Sequence, residues 1–267
     1  MDEIARYNMG RWNELAEAGV SYTIPYLDLD ERSARELVDP DGIIGDLEGK
    51  DVLCLAGGGG QQSAGFCVLG ANVTVFDLSE VQLERDRQAA NHYGLDVRTI
   101  QGDMRDLSVF EDDSFDVVWH GHSINFVPDA RAVFRQVVRV LRPGGLYHLS
   151  CANPYFQNVE SEDWKGDGYR LWDRYGDGEI EIADPYWTFV DPSGADRRVR
   201  GPREFRHTLE TLVNGMVELG LSVFKVREVG NCDRDAELEP GTWEHFKSIA
   251  PPYLTFWTTK SPHLPQG

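Results

Sequence analysis

The sequence predicts an α/β protein with a doubly wound sheet that is mostly parallel. One observation is a short apolar strand over 52–55 that runs into Gly57–Gly60 and then into a helix over 61–69. A second is that segments typical of strands and helices alternate from there to residue 152. An apolar strand needs burial on both faces, and alternating helices supply the two covering layers of a parallel sheet.

The four consecutive glycines mark the turn around which the chain is organised. Without side chains, the backbone can adopt positive φ and a ligand can approach it closely. The free N–H groups at the start of the following helix are expected to face whatever occupies the turn. Strand, turn and helix together predict the nucleotide-binding corner of a Rossmann-like sheet. For a glycine run alone, a flexible surface loop is the alternative.

The next strand, over 71–76, ends in Asp77, which follows Gly60 by seventeen residues. That is near the spacing at which an acidic residue reaches a bound ribose, whereas a solvated aspartate at a strand end is the alternative. Ser79 and Gly94 have the residue types that begin and end a helix over 80–93. The remaining elements of the alternating part are strands over 96–101, 115–119 and 146–152 and a helix over 129–141, which Arg142-Pro143-Gly144-Gly145 stops.

Composition narrows the class of ligand. The 267 residues carry a net charge of −19, which repels phosphate backbones, so a small-molecule partner is expected and a nucleic acid is not. No apolar run reaches the length of a membrane span and the N-terminal residues lack a signal sequence, so we expect a cytoplasmic protein without a membrane partner. The cysteines are expected to be buried free thiols, with no metal site: Cys54, Cys67, Cys151 and Cys232.

Five features in order resemble the class I S-adenosylmethionine-dependent methyltransferases, in their small-molecule (type 11-like) branch. They are the glycine turn, Asp77, Gly102-Asp103-Met104, Phe115-Asp116-Val117-Val118 and Leu141-Arg142-Pro143-Gly144-Gly145. The resemblance covers 50–152 firmly and 203–260 more weakly, through a helix over 205–219 and strands over 221–229 and 253–259. It implies one methyltransferase domain over 1–267, with an antiparallel C-terminal edge strand beside the parallel sheet.

The resemblance also implies S-adenosylmethionine as the cofactor and a role for each matching position. The turn would accommodate the methionine part, Asp77 would bind the ribose, and Asp103 would accept a hydrogen bond from the adenine amino group. The Met104 N–H and the Leu78 side chain would contact the adenine ring, and the backbone near His120 would meet the cofactor's amino group. The turn positions concerned are Ala56, Gly57, Gly58 and Gly60.

The chain departs from the family pattern at two positions of this corner. Cys54 stands where the family usually has an acidic residue, and Ala56 stands where it usually has glycine. Alanine tolerates the φ of many turns but not of every one, so the loop is expected to follow a slightly different path. Gln62 or Ser63 is expected to replace the missing acidic side chain.

Residues 1–48 precede the first strand and are expected to form a helical cap over the glycine turn, with helices over 5–18 and 27–38. Arg11 on the first of these is predicted to reach the cofactor from above. Several aromatic residues of the cap can face the same ligand, although packing against the core explains them equally well. These residues are Tyr7, Trp12, Tyr22 and Tyr26.

The segment 154–202 is too long for a simple connection and is rich in aromatic residues, with short strands indicated around Asp191-Pro192-Ser193-Gly194. We interpret it as a lid insertion over the carboxyl edge of the sheet, which favours an aromatic or otherwise apolar acceptor. A dimer contact is the alternative, so both a monomer and a homodimer remain open.

Methyl transfer from a sulfonium is an in-line displacement, in which the enzyme aligns the reactants, excludes water and in some cases removes a proton. His122, just beyond the fourth strand, and His207 are the candidate bases, although a lone histidine is more often structural. Two other functions remain: binding of S-adenosylmethionine without methyl transfer, and NAD-linked oxidoreduction. For the second, Gly58-x-Gly60 begins a dinucleotide fingerprint, but Ser63 replaces its third glycine.

Overall fold

The computed structural model describes residues 1–182, 184–230 and 237–261. Its helices are α1 (Glu3–Glu17), α2 (Glu31–Val38), α3 (Gln62–Val68), α4 (Glu80–Tyr93), α5 (Ala130–Val140), α6 (Leu209–Val217) and α7 (Trp243–Ile249). Its strands are β1 (Asp51–Leu55), β2 (Asn72–Asp77), β3 (Arg98–Gln101), β4 (Phe115–Gly121), β5 (Leu141–Ala152), β6 (Gly178–Glu179), β7 (Tyr186–Val190), β8 (Asp196–Arg200), β9 (Phe205–Arg206), β10 (Leu221–Val229) and β11 (Tyr253–Lys260).

The main sheet has the order β10-β11-β5-β4-β1-β2-β3. The pairs from β5 through β3 are all parallel, and β11 runs antiparallel to both β5 and β10. The predicted Rossmann-like, mostly parallel sheet with an antiparallel C-terminal addition is therefore confirmed. One detail differs, because β11 is not at the edge: it lies second from the edge, and β10 is the outermost strand.

Side chains of β1 alternate between two hydrophobic cores on opposite faces of the sheet. Leu53 and Leu55 pack in the core that contains residues of α5 and α6, whereas Val52 and Cys54 pack in the core that contains residues of α2 and α3. Burial on both faces is what the apolar run over 52–55 predicts. The strand is thus fixed from both sides, and so is the position of the turn at its carboxyl end.

Several element boundaries differ from the predicted ones for local reasons. Helix α5 ends at Val140, just before Arg142–Gly145 as predicted, but β5 begins at Leu141 and not at 146, with Leu141 paired to Phe115, Leu146 paired to Val117 and a bulge between them. The helix predicted from residue 205 begins only at Leu209, because Thr208 caps it. The two residues that precede His207 form β9 instead, paired with β6.

The N-terminal segment and the segment 154–202 both reach the carboxyl edge of the sheet. The Tyr26 N–H donates to the Gly60 carbonyl at 3.0 Å, and the Gln61 side chain donates to the Ile24 carbonyl at 2.7 Å, so the N-terminal segment is attached to the glycine turn. Strands β7 and β8 form the hairpin indicated around Asp191, and it contacts α1.

Cys54, Cys67 and Cys151 are buried free thiols, as expected, whereas Cys232 lies outside the described residues. Across the described residues, no helix combines the length and the apolar character needed to cross a membrane. In the same residues, no group of histidine, cysteine and acidic side chains is placed to hold a metal ion.

Candidate functional site

The glycine turn follows β1 at the carboxyl edge of the sheet and requires glycine at defined positions. A Cβ on Gly58 would lie 2.7 Å from the Gln82 Cβ, and one on Gly60 would lie 2.7 Å from the Arg85 carbonyl oxygen. Gly59 and Gly60 also have φ of +126° and +75°, which side chains disfavour. Ala56 adopts φ of +46°, so this alanine does take the left-handed conformation that its position requires.

Two carboxylates hold the turn by its backbone N–H groups. Asp77 at the end of β2 accepts from Gly58 N–H at 3.0 Å and from Ser79 N–H at 2.8 Å. Asp86 on α4 accepts from the N–H groups of Gly59 at 3.0 Å and Gly60 at 3.1 Å. The conformation of the turn therefore depends on acidic residues from two neighbouring elements.

The N–H groups of the glycine turn itself are not free to face a ligand. The amides of Gly58, Gly59 and Gly60 are already used by aspartates, so they are not available to bind a phosphate. A pyrophosphate would also be repelled by the two nearby carboxylates, whereas a sulfonium cation and hydroxyl donors would be attracted. The corner is therefore suited to S-adenosylmethionine and unsuited to NAD.

Asp86 is the site residue that the sequence interpretation missed. It is only 1% exposed, and burial raises its pKa to about 7. The Ser63 hydroxyl donates to it, and replacement of the missing acidic side chain by Gln62 or Ser63 stays a prediction. The Gln62 side chain makes no hydrogen bond within the described ranges. The sequence did contain a signal that Asp86 is buried, because its helical spacing puts it on the same side of α4 as Leu83 and Ala90.

Unpartnered polar atoms beside the turn fit a bound cofactor. The buried Gln82 Oε1 has no hydrogen-bond partner among the described residues, and a Cβ on Gly59 would lie 3.3 Å from it. The buried Arg11 Nε is likewise unpaired there, while its Nη2 donates to Glu14 at 2.6 Å. Desolvation raises the pKa of Asp77. The residue is half-buried, so part of it remains accessible. Asp77 and Gln82 thus supply a carboxylate and an amide oxygen beside the turn, whereas contact of Arg11 with the cofactor stays a prediction.

At the predicted adenine site, the polar groups already have partners within the protein. Asp103 is bound by Arg105 through both carboxylate oxygens, at 2.5–3.1 Å, and Arg105 is bound in turn by Asp2. An adenine amino group would have to share this carboxylate with Arg105. The Met104 side chain is buried in the core, and the Leu78 carbonyl accepts from the Gln101 side chain at 2.9 Å. The adenine contacts of Asp103, Met104 and Leu78 stay predictions.

The side chain of His120 is buried within β4, away from solvent. Its Nδ1 lies 2.9 Å from the Tyr147 hydroxyl, and burial lowers its pKa to about 3. Its backbone lies at the carboxyl end of the central strand, opposite Leu149 of β5. Whether that backbone meets the cofactor stays a prediction, but the imidazole itself is part of the core.

The two candidate bases have very different positions. His122 follows β4 with φ of +51°, and its ring centroid lies 4.7 Å from that of Tyr253. It is exposed, and desolvation by the surrounding protein lowers its pKa. His207 is only 3% exposed, with Nε2 3.1 Å from the Ile124 carbonyl. His207 is thus held inside the protein by a backbone contact, and its role as a base stays a prediction.

Aromatic residues from three segments pack against one another. Trp12 of α1 lies edge-on to Tyr22, Trp187 and Phe126, with centroids 5.1–6.3 Å apart. Trp187 of β7 also packs on Tyr22 at 5.9 Å. Trp172, from the same segment as Trp187, is 55% exposed and takes no part in this cluster. The N-terminal segment, the hairpin and the end of β4 thus form one aromatic wall.

Comparison with known proteins gives a consistent result. A family model described as "Methyltransferase domain" matches residues 53–149. An uncharacterized methyltransferase, YbaJ of Bacillus subtilis (strain 168), is 30% identical over 84% of this chain and 89% of its own length. A ubiquinone biosynthesis O-methyltransferase of Xanthomonas oryzae pv. oryzae is 36% identical, over 40% of this chain and 45% of its own.

Among solved structures, a putative S-adenosylmethionine-dependent methyltransferase from Listeria monocytogenes superposes with a TM-score of 0.60. The match covers 86% of this chain and 97% of that one at 20% sequence identity, so it establishes the fold.

Proposed function

Because the chain belongs to the class I S-adenosylmethionine-dependent methyltransferases, we propose that it transfers a methyl group to a small molecule bound in the cleft beside the glycine turn. The observation that carries this proposal is the pair of aspartates holding the turn, since they suit a cationic cofactor and exclude a pyrophosphate. The comparison with YbaJ supports the same activity over most of the chain.

The cofactor supplies a methyl group on a sulfonium, which the acceptor displaces in line, and the residues of this chain position the two reactants. Asp77 binds the ribose hydroxyls. Arg11 and the turn at Ala56, Gly57, Gly58 and Gly60 hold the methionine part. Asp103, Met104 and Leu78 surround the adenine, with the Asp103–Arg105 ion pair fixing that carboxylate in place.

His122 is the residue that we propose to receive a proton from the acceptor. It lies at the carboxyl end of the central strand, and its lowered pKa keeps the imidazole neutral and able to accept a proton at pH 7. The aromatic wall of Trp12, Tyr22 and Trp187 excludes water from the same space. We propose that the hairpin β7–β8 acts as the lid there.

A small-molecule acceptor is favoured by the acidic surface of the chain and by its relatives. The Xanthomonas relative is named for ubiquinone biosynthesis, and another, from Mycobacterium ulcerans, is named as a probable phthiotriol/phenolphthiotriol dimycocerosates methyltransferase. Both names describe small-molecule chemistry in those proteins. The aromatic wall supports an acceptor with an aromatic or apolar part.

The first expected result is that S-adenosylhomocysteine raises the melting temperature, whereas NAD does not. A ligand that binds only the folded state stabilises it by about 2.7 kcal/mol at one hundred times Kd. Thermal unfolding with each ligand at matched concentration measures the difference. Equal stabilisation by NAD, or none by S-adenosylhomocysteine, contradicts the proposed function.

The second expected result concerns Asp77→Ala, which should weaken S-adenosylhomocysteine binding at least tenfold. Hydrogen bonds to a charged group are worth about 1.5–3 kcal/mol, and the variant also frees the Gly58 N–H of the turn. Titration calorimetry gives the affinity. Asp96→Ala, an exposed aspartate just before β3, is the matched control and should bind normally. Asp103→Ala should weaken binding less. Unchanged binding by Asp77→Ala would show that Asp77 does not bind the cofactor.

A further inference from the structure

Arg105 joins helix α1 to the loop that follows β3. Its Nη1 and Nη2 donate to the two carboxylate oxygens of Asp2, at 2.7 and 3.0 Å. Its Nε and Nη2 donate to Asp103, at 2.5–3.1 Å. Asp2 is also the N-cap of α1, since it accepts from the Ala5 N–H at 2.9 Å. One guanidinium therefore connects the start of α1 to the carboxylate that is predicted to receive the adenine.

The bridge is formed by groups that are partly shielded from water. The Arg105 side chain is 18% exposed and that of Asp103 is 11% exposed, against 50% for Asp2. Hydrogen bonds to Arg105 lower the pKa of Asp2, and hydrogen bonds to Asp103 and Asp2 raise the pKa of Arg105, so the aspartate and the arginine stay charged at neutral pH. Paired charges in a fork geometry are held more firmly than exposed point charges.

Asp103 keeps room for one more hydrogen-bond donor. Three N–H groups of Arg105 donate to it, namely the backbone N–H at 3.0 Å, Nε and Nη2. A carboxylate has about four acceptor sites, so one remains for the adenine amino group. The same contacts fix the plane of the carboxylate. The adenine can thus share Asp103 with Arg105 without displacing it.

Helix α1 lies across the carboxyl ends of β2, β3 and β4, the edge at which the cofactor is expected. Its contacts there are Asn13 Oδ1 with the Ser79 hydroxyl at 2.6 Å, Met9 Sδ with Gln101 Nε2 at 3.7 Å and Asn8 Nδ2 with the Phe126 carbonyl at 3.0 Å. Within 3–11 only Ala5 and Asn8 are buried, so hydrophobic burial fixes this half of the helix weakly. Polar contacts, the Arg105 bridge among them, therefore hold it at the carboxyl edge.

We propose that Arg105 is a positioning residue for the cofactor, which couples the orientation of Asp103 at the adenine to the docking of α1 through Asp2. This inference rests on the proposed function, since it takes Asp103 as the adenine contact. A carboxylate that is already held loses less conformational freedom when the adenine binds. The coupling is reciprocal: a bound cofactor stabilises the docked helix, and the docked helix slows release of the cofactor.

Asp2→Asn tests the connection to α1. Asparagine also caps helices well, so the helix should keep its N-terminus while the charge on one side of the bridge is removed. From the untagged full chain, labelled S-adenosylhomocysteine should dissociate about fivefold faster or more, at nearly the same melting temperature of the free protein. Asp112→Asn is the matched control and should keep the unmodified rate. It removes an exposed aspartate from Arg139, another arginine that other groups also hold.

Hydrogen exchange of α1 measures the same coupling from the other side. In the unmodified chain, saturating S-adenosylhomocysteine should slow exchange of the amides over 3–17 by about tenfold. In Asp2→Asn the slowing should be about fivefold smaller, because the ligand no longer stabilises the helix through Arg105. Asp112→Asn should again match the unmodified chain.

Arg105→Gln tests the positioning of Asp103 with a readout that a purely structural role would not change. S-inosylhomocysteine carries a carbonyl oxygen in place of the adenine amino group, and the Asp103 carboxylate repels it. Titration calorimetry should show that the unmodified chain prefers the adenosyl compound at least tenfold, and Arg105→Gln should reduce this preference by about fivefold. Arg131→Gln, which removes an arginine from its ion pair with Glu218, is the control and should keep the preference.

The inference is overturned if Asp2→Asn releases S-adenosylhomocysteine at the unmodified rate, or if Arg105→Gln weakens both compounds equally. It is also overturned if Arg105→Gln binds the adenosyl compound more tightly, since Arg105 would then compete with the adenine, or if the unmodified chain shows no preference between the two compounds. Binding by the unmodified chain separates these failures from that of the proposed function. If it binds S-adenosylhomocysteine and the variants behave as it does, the coupling alone is wrong, whereas absence of binding contradicts the proposed function.

Discussion

Replacing Asp86 by alanine should destabilise the protein by about 3 kcal/mol and weaken S-adenosylhomocysteine binding at least tenfold. The variant leaves the Gly59 and Gly60 N–H groups and the Ser63 hydroxyl without an acceptor in a site that is 1% exposed. Each buried donor left unsatisfied costs about 1–3 kcal/mol, partly offset because a buried carboxylate is also removed. Urea unfolding at pH 7 and titration calorimetry measure the two effects.

Asp39→Ala is the matched control for this prediction. Asp39 is 2% exposed and accepts from three backbone N–H groups, of Ile43, Ile44 and Gly45, in the loop before β1. Its loss should lower the free energy of unfolding by a similar amount while leaving the cofactor affinity of the folded protein unchanged. Equal binding by Asp86→Ala would mean that the turn keeps its conformation without the acid.

The pH dependence of stability gives an independent check on Asp86. Burial raises its pKa to about 7, against about 3.9 for aspartate in an unfolded chain. The folded state thus holds the proton more tightly, so this contribution to stability is fully present below about pH 4 and is lost as the pH rises through 7. Asp86→Asn should flatten that part of the stability profile relative to the unmodified chain.

The sequence was sufficient for those parts of the fold that depend on local patterns. The apolar run before Gly57 correctly predicted β1 and the turn after it, and Asp77 correctly marked the end of β2. Both predictions were possible because strand burial and parallel pairing follow from periodicity. The helix predicted to stop at Arg142–Gly145 does end just before it, at Val140, but the same stretch also begins β5, since Pro and Gly are equally compatible with a bulged strand start. Its pairing with β4 is a long-range contact that no local pattern reveals.

The candidate site was less predictable, because it joins residues that are distant in the chain. His122 and His207 have the same side chain, and only their surroundings distinguish an exposed ring beside Tyr253 from a buried ring bonded to the Ile124 carbonyl. Asp86 was missed for a related reason. An acid on a helix is normally solvated, and its bonds to Gly59 and Gly60 span more than twenty residues.

The aromatic residues of 154–202 differ in their contacts and in their exposure to solvent. Trp187 packs on Trp12 and Tyr22, and its indole lies so close to Gly201 that a Cβ there would be 2.7 Å from Nε1. The residue is therefore fixed between β8 and the N-terminal segment. Trp172 has no such contacts and is 55% exposed, so the two tryptophans provide a test and its control within one segment.

Deleting 156–200 should spare cofactor binding and abolish turnover, since the proposed lid would no longer exclude water around the reacting groups. The deletion also removes partners of Arg206, so thermal unfolding must first show that the shortened chain is folded. Trp187→Ala avoids that difficulty. Loss of its two edge-to-face contacts, each worth about 0.5–1.5 kcal/mol, should raise the acceptor KM about tenfold.

Methyl transfer from labelled S-adenosylmethionine into a small-molecule extract of the source cells measures turnover whatever the identity of the acceptor. For Trp187→Ala, half-maximal transfer should require about ten times more extract, with S-adenosylhomocysteine affinity unchanged. Trp172→Ala should match the unmodified chain in both measurements. Analytical sedimentation of Trp187→Ala distinguishes a lid from a dimer contact. If the substitution converts a dimer into monomers that remain fully active, the hairpin β7–β8 is a dimer contact and not a lid.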